Sequence, residues 1–270
     1  MADPPIEIEN LLNRRSDLST FVVHLTRDGV GGKPTARENL EAILTAGRIE
    51  ARTPMGWTGT GRERLTGADL DAMKVVCFSE TPLEHVYSLF QNIRGRSVRL
   101  SGYGVAFTRD IARGAGVNPV WYVDMTMGRT WELSPALDEL RKEAVAAPGG
   151  FASHPASKIL PFVEAMGTWN AGRKEFSWER EWRHLGDFAF RWSDVALVLC
   201  PEAEIGEFEA LGSWSAVDPA WSLERMIATV VQKRAWQLAL EETRARGRER
   251  AAAVEEDGAG RSEAGAAENK

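Results

Sequence analysis

The sequence predicts an α+β fold built as one main domain, with a mixed, strongly twisted β-sheet flanked by helices and a long C-terminal helix. Three observations carry this. Short β-branched runs recur along the chain, helical segments fall between them without a regular βαβ beat, and no internal repeat is found. The 270 residues, 43% of them hydrophobic, suffice for a sizeable core.

The elements follow in order. Phe21 to Thr26 reads as a strand with His24 near its end. Asp28 to Pro34, with Gly29, Gly31 and Gly32, reads as a loop. Arg37 to Ala46 places Leu40, Ile43 and Leu44 at helical spacing, with Gly47 as its stop. Ile49 to Ala51 forms a small strand. Pro54 to Gly67, containing Gly56, Gly59 and Gly61, is a long polar loop of the kind that forms lids. Val75 to Phe78 is a buried strand. Ser79 and Thr81 then sit where they would cap a helix running from Pro82 to about Ile93.

Tyr103 to Thr108 and Val120 to Val123 are further strands, separated by a helical turn and Gly116. Leu133 to Ala146 and Ile159 to Met166 read as helices. Ala189 to Trp192 leads into the buried strand Val195 to Leu199, closed by Pro201. Asp218-Pro219 opens the long helix. The expected organisation is an N-terminal extension (1–20), an α+β catalytic-type domain (21–217), the C-terminal helix (218–243) and a disordered tail (244–270).

Several function classes fall away. The net charge of −6 gives no general attraction to nucleic acid, and the basic run Arg244 to Arg250 reads as a solvated helix end. Cys77 and Cys200 read as buried free thiols, which suits a reducing cytoplasm, and no Cys/His spacing supports a zinc site. No membrane span and no secretion signal are evident, so a cytoplasmic location is expected. The chain lacks a Gly-x-Ser-x-Gly elbow, a phosphate-cradling Gly-Lys-Ser/Thr loop and a dinucleotide fingerprint.

The chemistry concentrates in Phe176 to His184. Read as a strand, it puts Glu179, Glu181 and Arg183 on one face and Trp178, Trp182 and His184 on the other. Two acids that close repel unless a cation or a cationic reacting centre lies between them. The plainer alternative is a surface strand of exposed ion pairs, worth little. His24 alone is more often structural than a ligand, and the hydroxyls of Ser79 and Thr81 as caps are worth about 1 kcal/mol each.

His24-Leu25-Thr26, Asn39 to Leu44 with Gly47, Val76 to Pro82, Tyr103 to Phe107, Asn118 to Tyr122 and Glu179-Arg180-Glu181-Trp182-Arg183 together resemble the AbiGi-type abortive-infection proteins of bacterial phage defence. The resemblance covers roughly residues 20–202, and the Glu-Arg-Glu-Trp-Arg block is its most specific part. A more distant likeness is to ADP-ribosyltransferase folds, including the DarT toxins, although no Ser-Thr-Ser motif is present. That likeness implies NAD as substrate, without a metal, bound by His24, Ser79 or Thr81, and Glu179 or Glu181. Glu181 would steady an oxocarbenium-like ribosyl cation. Glu179 would polarise the acceptor or hold the ribose, and His24 would bind the adenosine-side ribose. Ser79 or Thr81 would order the nicotinamide end, and Arg183 would hold pyrophosphate or keep the carboxylates ionised. Thr26 and Tyr103 complete the expected substrate-binding set, and the glycine-rich loop with Trp57 would close over it. Two alternatives stand beside this: a glycosylase excising bases from phage DNA, and a non-enzymatic defence sensor or antitoxin acting through a partner protein.

Overall fold

The structure, a computed structural model, describes residues 15–57, 65–93, 96, 98–126, 133–169, 172–239 and 241–245. The glycine-rich loop from Thr58 to Arg64, part of the N-terminal extension and the tail beyond Ala245 lie outside the described residues. The chain divides into two compact units, Met1–Ser222 and Leu223–Lys270.

Thirteen strands occur among the described residues. They are β1 (Phe21–Leu25), β2 (Arg48–Ile49), β3 (Thr53–Pro54), β4 (Lys74–Ser79), β5 (Gly104–Thr108), β6 (Asn118–Pro119), β7 (Trp121–Asp124), β8 (Val163–Trp169), β9 (Gly172–Lys174), β10 (Glu181–Leu185), β11 (Phe188–Ala189), β12 (Val195–Leu199) and β13 (Ser215–Val217). The main sheet runs β13-β12-β5-β1-β4-β10-β6, with β3 also on β4. It is mixed, because β12 and β13 are parallel while the other pairs are antiparallel. A second sheet, β7-β8-β9, and a pair, β11-β2, complete the set. The fold is α+β with a mixed sheet and helices, as expected.

Registers fix the two faces of the main sheet. Opposed pairs share a face, so Phe78 with Trp182, Val76 with His184, His24 with Val105 and Val22 with Phe107 all lie on one side. That side carries the larger core, where Val22, Phe78, Phe107 and Trp182 meet Leu40, Leu44, Phe188, Phe208 and Trp214. Phe107 is the hub of an aromatic group, lying edge-on to Phe78, Phe188 and Phe190 at 5.0–6.2 Å. Leu40 and Leu44 come from the helix Ala36–Ala46, whose Thr35–Glu38 capping box and left-handed Gly47 set its ends. A separate core gathers Trp57, Met73, Val123, Leu137, Phe151, Leu160 and Val163 around the helix Leu133–Ala146.

Five expectations are corrected. Ile159–Met166 is not a helix: a short 3-10 turn, Leu160–Phe162, passes into β8, and Val163 to Met166 pair in parallel with β7. A continuous apolar run cannot by itself tell a buried strand from a helix. The segment after Pro82 is a 3-10 helix, Leu83–Phe90, and neither Ser79 nor Thr81 caps it. Trp57 is buried in the second core, where its indole N–H donates to Asp138 at 3.0 Å, so it does not ride on a lid. The C-terminal helix begins at residue 223 rather than at Asp218, where Asp218 to Ser222 instead form a turn. Trp178, expected on the strand face of Trp182 and His184, sits exposed in the turn before β10.

Phe107→Ala is expected to lower stability by about 3–5 kcal/mol, measured by urea unfolding, because it empties the centre of the aromatic group.

Candidate functional site

On the opposite face of the main sheet, Glu181 pairs with Ser79 and Arg183 with Cys77. Placing a guanidinium on this interior face demands compensation, because a buried ion without partners is strongly unfavourable. Arg183 has 0% of its side chain exposed and is compensated on three sides. Its Nε and Nη2 donate to Oε1 and Oε2 of Glu181, each at 2.9 Å, as a bidentate pair. Nη2 also donates to Glu164 at 2.9 Å, and Nη1 to the Pro161 carbonyl at 2.6 Å. Those carboxylates hold the guanidinium firmly in its charged form against the effect of burial.

Glu164 lies on β8 opposite Tyr122 on β7, and its carboxylate also takes Lys174 from β9. The Tyr122 hydroxyl reaches towards Glu181 Oε2 at 3.5 Å. Burial raises that phenol, and the neighbouring acids, Glu181 foremost, raise it further. Glu179 pairs with Arg96 at 3.2 Å, and burial moves its carboxyl above the usual range, with Glu181 adding to the shift. Three acids, Glu164, Glu179 and Glu181, thus meet three cations, Lys174, Arg96 and Arg183, where the two sheets adjoin. The acids keep 13–18% of their side-chain surface, so their edges stay open while their ion pairs fix their bodies.

The turn leading into this cluster departs from the expected strand. Ser177–Glu179 forms a 3-10 turn, Arg180 adopts left-handed backbone (φ 48°, ψ 53°), and β10 begins only at Glu181. A non-glycine residue there costs of order 1–3 kcal/mol and persists where its surroundings hold it. Glu179 therefore belongs to the turn and Glu181 to the strand.

The remaining expected site residues divide. Ser79 shares the Glu181 face, but its hydroxyl donates to the Glu179 carbonyl and sits 2.7 Å from the Thr81 hydroxyl. This pair steadies the turn. His24 lies on the other face, beside Phe78, so the sheet separates it from Glu181. Its Nδ1 meets the Cys77 carbonyl at 2.8 Å, which makes that nitrogen the protonated one. The register pairs only Val23 of β1 with Ser79 of β4, so the ring bridges strands at a sparse seam. Burial pushes the imidazole down. Thr26 donates to the Ala36 carbonyl at 2.8 Å and anchors the first helix. Tyr103 donates to Glu204 at 2.7 Å, away from Glu181. Arg183, with its donors directed at Glu181, Glu164 and Pro161, is committed to the protein and does not hold pyrophosphate.

Cys77 is free and half-buried, and Cys200 is free and buried. Burial pushes the Cys77 thiol well up and that of Cys200 to about 12, so neither is an activated nucleophile. Among the described residues no group of three or more His, Cys, Asp or Glu side chains is arranged to hold a metal ion. No described helix is long and apolar enough to cross a membrane. Sequence reasoning missed Glu164, Lys174, Arg96 and Tyr122. Alternation around Val123 marks Tyr122, but reading the β8 segment as helix hid Glu164.

Residues 59–204, more than half of the chain, match the family described as "Putative abortive phage resistance protein AbiGi, antitoxin". The chain belongs to the AbiGi family. Family membership places it among abortive phage-resistance proteins. Among solved structures, DarT of Thermus sp. 2.9, in complex with ADP-ribosylated ssDNA, is similar at 16% identity over 71% of this chain and 87% of that one. Its TM-score is 0.29, a likeness too slight to carry chemistry from that protein to this AbiGi member. No curated protein sequence matches the chain.

Two outcomes follow from the cluster. Arg183→Met is expected to cost about 3–5 kcal/mol in urea unfolding, since it leaves Glu181 and Glu164 facing each other without the guanidinium. Glu179→Gln tests the raised carboxyl. Below the unfolded pKa the native acid is neutral in both states. As pH climbs through the folded pKa, ionising it in place becomes a burden that the amide lacks. The variant should therefore gain stability relative to the native chain as pH rises above the ordinary glutamate range (about 4.3), read as the difference in urea midpoints.

Proposed function

We propose that this AbiGi-family protein acts in phage defence as an enzyme that opens a ribosyl N-glycosidic bond, with NAD as substrate and Glu181 as the carboxylate facing the sugar. The observation that carries this reading is the fixed position of Glu181, locked by the bidentate Arg183 pair yet still partly open at its edge. Breaking the nicotinamide–ribose bond sends its electron pair to the departing nicotinamide and leaves positive charge on the anomeric carbon. A carboxylate that is already oriented stabilises that charge without reorganising, which favours the transition state over the ground state. Water or another nucleophile then adds to the carbon and gives up a proton. Glu179, whose buried carboxyl binds a proton more readily than usual, is the group to receive it.

Ser79 and Thr81 support this reading as anchors of the Glu179 backbone, and Arg183 as the group that aims Glu181. His24, Thr26 and Tyr103 have no part in it. A second reading, an antitoxin that acts by binding a partner protein, is favoured by the equal numbers of acids and cations in the cluster and by the family's description. In that case the ion pairs hold the two sheets together and no bond is broken.

Purified protein incubated with NAD should release free nicotinamide, measured by chromatography. Glu181→Gln, checked for folding by thermal melting, should slow that release by about 10²-fold or more. No nicotinamide from the native chain, together with full phage protection by a Glu179→Ala, Glu181→Ala double variant, would replace the enzymatic reading with the antitoxin one.

A further inference from the structure

Arg180 is the one non-glycine residue with positive φ among the described residues, and it stands between the two acids assigned to the reaction. What holds it is Glu80, a buried carboxylate just past the end of β4 that sequence reasoning did not single out. The Glu80 backbone N–H donates to the Arg180 carbonyl at 3.0 Å. Its Oε2 accepts from Arg180 Nη2 at 3.4 Å and from the Trp182 indole at 3.1 Å, while Oε1 accepts from Arg109 at 3.0 Å. Arg180 Nη1 is pinned in turn to the Asp17 carbonyl at 2.6 Å. The neighbouring Ser79 hydroxyl takes the Glu179 carbonyl.

Consecutive residues of one strand end therefore hold consecutive carbonyls of the turn, and a single carboxylate grips residues on both sides of Glu181. We propose that Glu80 is a positioning residue, which clamps Arg180 in its left-handed conformation and so aims Glu179 and Glu181 at their shared site. This rests on the enzymatic reading of Glu181 for its functional meaning, although the clamp itself is a matter of geometry. Glu80 touches neither reacting carboxylate, so its influence passes through the backbone of the turn. Arg109 serves as an internal control. It pairs with the same carboxylate from the first turn of the helix Arg109–Gly114, so losing it leaves the bonds from Glu80 to Arg180 in place.

The test follows the Glu179 carboxyl by carbon-detected NMR titration in the full-length protein, with nicotinamide release measured in parallel. The charged and titratable groups facing Glu179 (Arg96, Glu181 and Tyr122) stay the same throughout. In the native chain Glu179 should titrate above an ordinary glutamate. Glu80→Gln should return that midpoint towards the ordinary value and slow nicotinamide release by about 10-fold or more, while Arg109→Gln leaves both unchanged. Should Glu80→Gln fold poorly, Arg180→Gln, at a side chain one-third exposed, should produce the same shift. An unmoved midpoint in Glu80→Gln and Arg180→Gln, or an equal shift in Arg109→Gln, would overturn the positioning role. Normal nicotinamide release by Glu181→Gln would instead overturn the enzymatic reading, leaving the titration to decide Glu80 separately.

Discussion

The burial of Arg183 is the constraint around which this part of the molecule is arranged. A guanidinium with no exposed side-chain surface must find acceptors nearly all round, and it finds them on three separate segments: its own strand, β8, and the turn that precedes β8. Replacing such an ion pair with well-packed apolar groups is often neutral or stabilising, so the cluster is poor evidence of a stability device alone. What it does secure is relative placement. The main sheet and the smaller β7-β8-β9 sheet share no strand, and Arg183 joins them through Glu164 and Pro161.

The main strands and the first helix were legible because their signals are local. Val75 to Phe78, Tyr103 to Thr108 and Val195 to Leu199 are compact β-branched or aromatic runs, and Ala36–Ala46 carries leucines at helical spacing and the Gly47 stop. Ile159–Met166 was illegible for the opposite reason. Its apolar residues have no period that separates strand from helix, and its partner β7 lies some forty residues earlier. The error spread, because Glu164 becomes a neighbour of Arg183 only once β8 is a strand.

The candidate site was half legible. Alternation correctly sets Glu181 and Arg183 against Trp182 and His184. It fails at Glu179, because one left-handed residue, Arg180, resets the phase, and nothing in an arginine announces positive φ. His24 fails for a different reason. Alternation says which residues of one strand share a face, but not which face of β1 matches which face of β10. That parity is settled by pairing Val23 with Ser79 and Ser79 with Glu181, two long-range registers that no local pattern contains.

The terminal strands of the main sheet have a bearing on the protein's behaviour at high concentration. One flank ends in β6, two residues long and containing Pro119, which has no amide hydrogen to offer; the other ends in β13, only three residues long. Neither presents an extended row of unpaired amides and carbonyls to a second chain. Edges this short, one of them carrying a proline, disfavour growth of the sheet by accretion of further molecules at these two flanks.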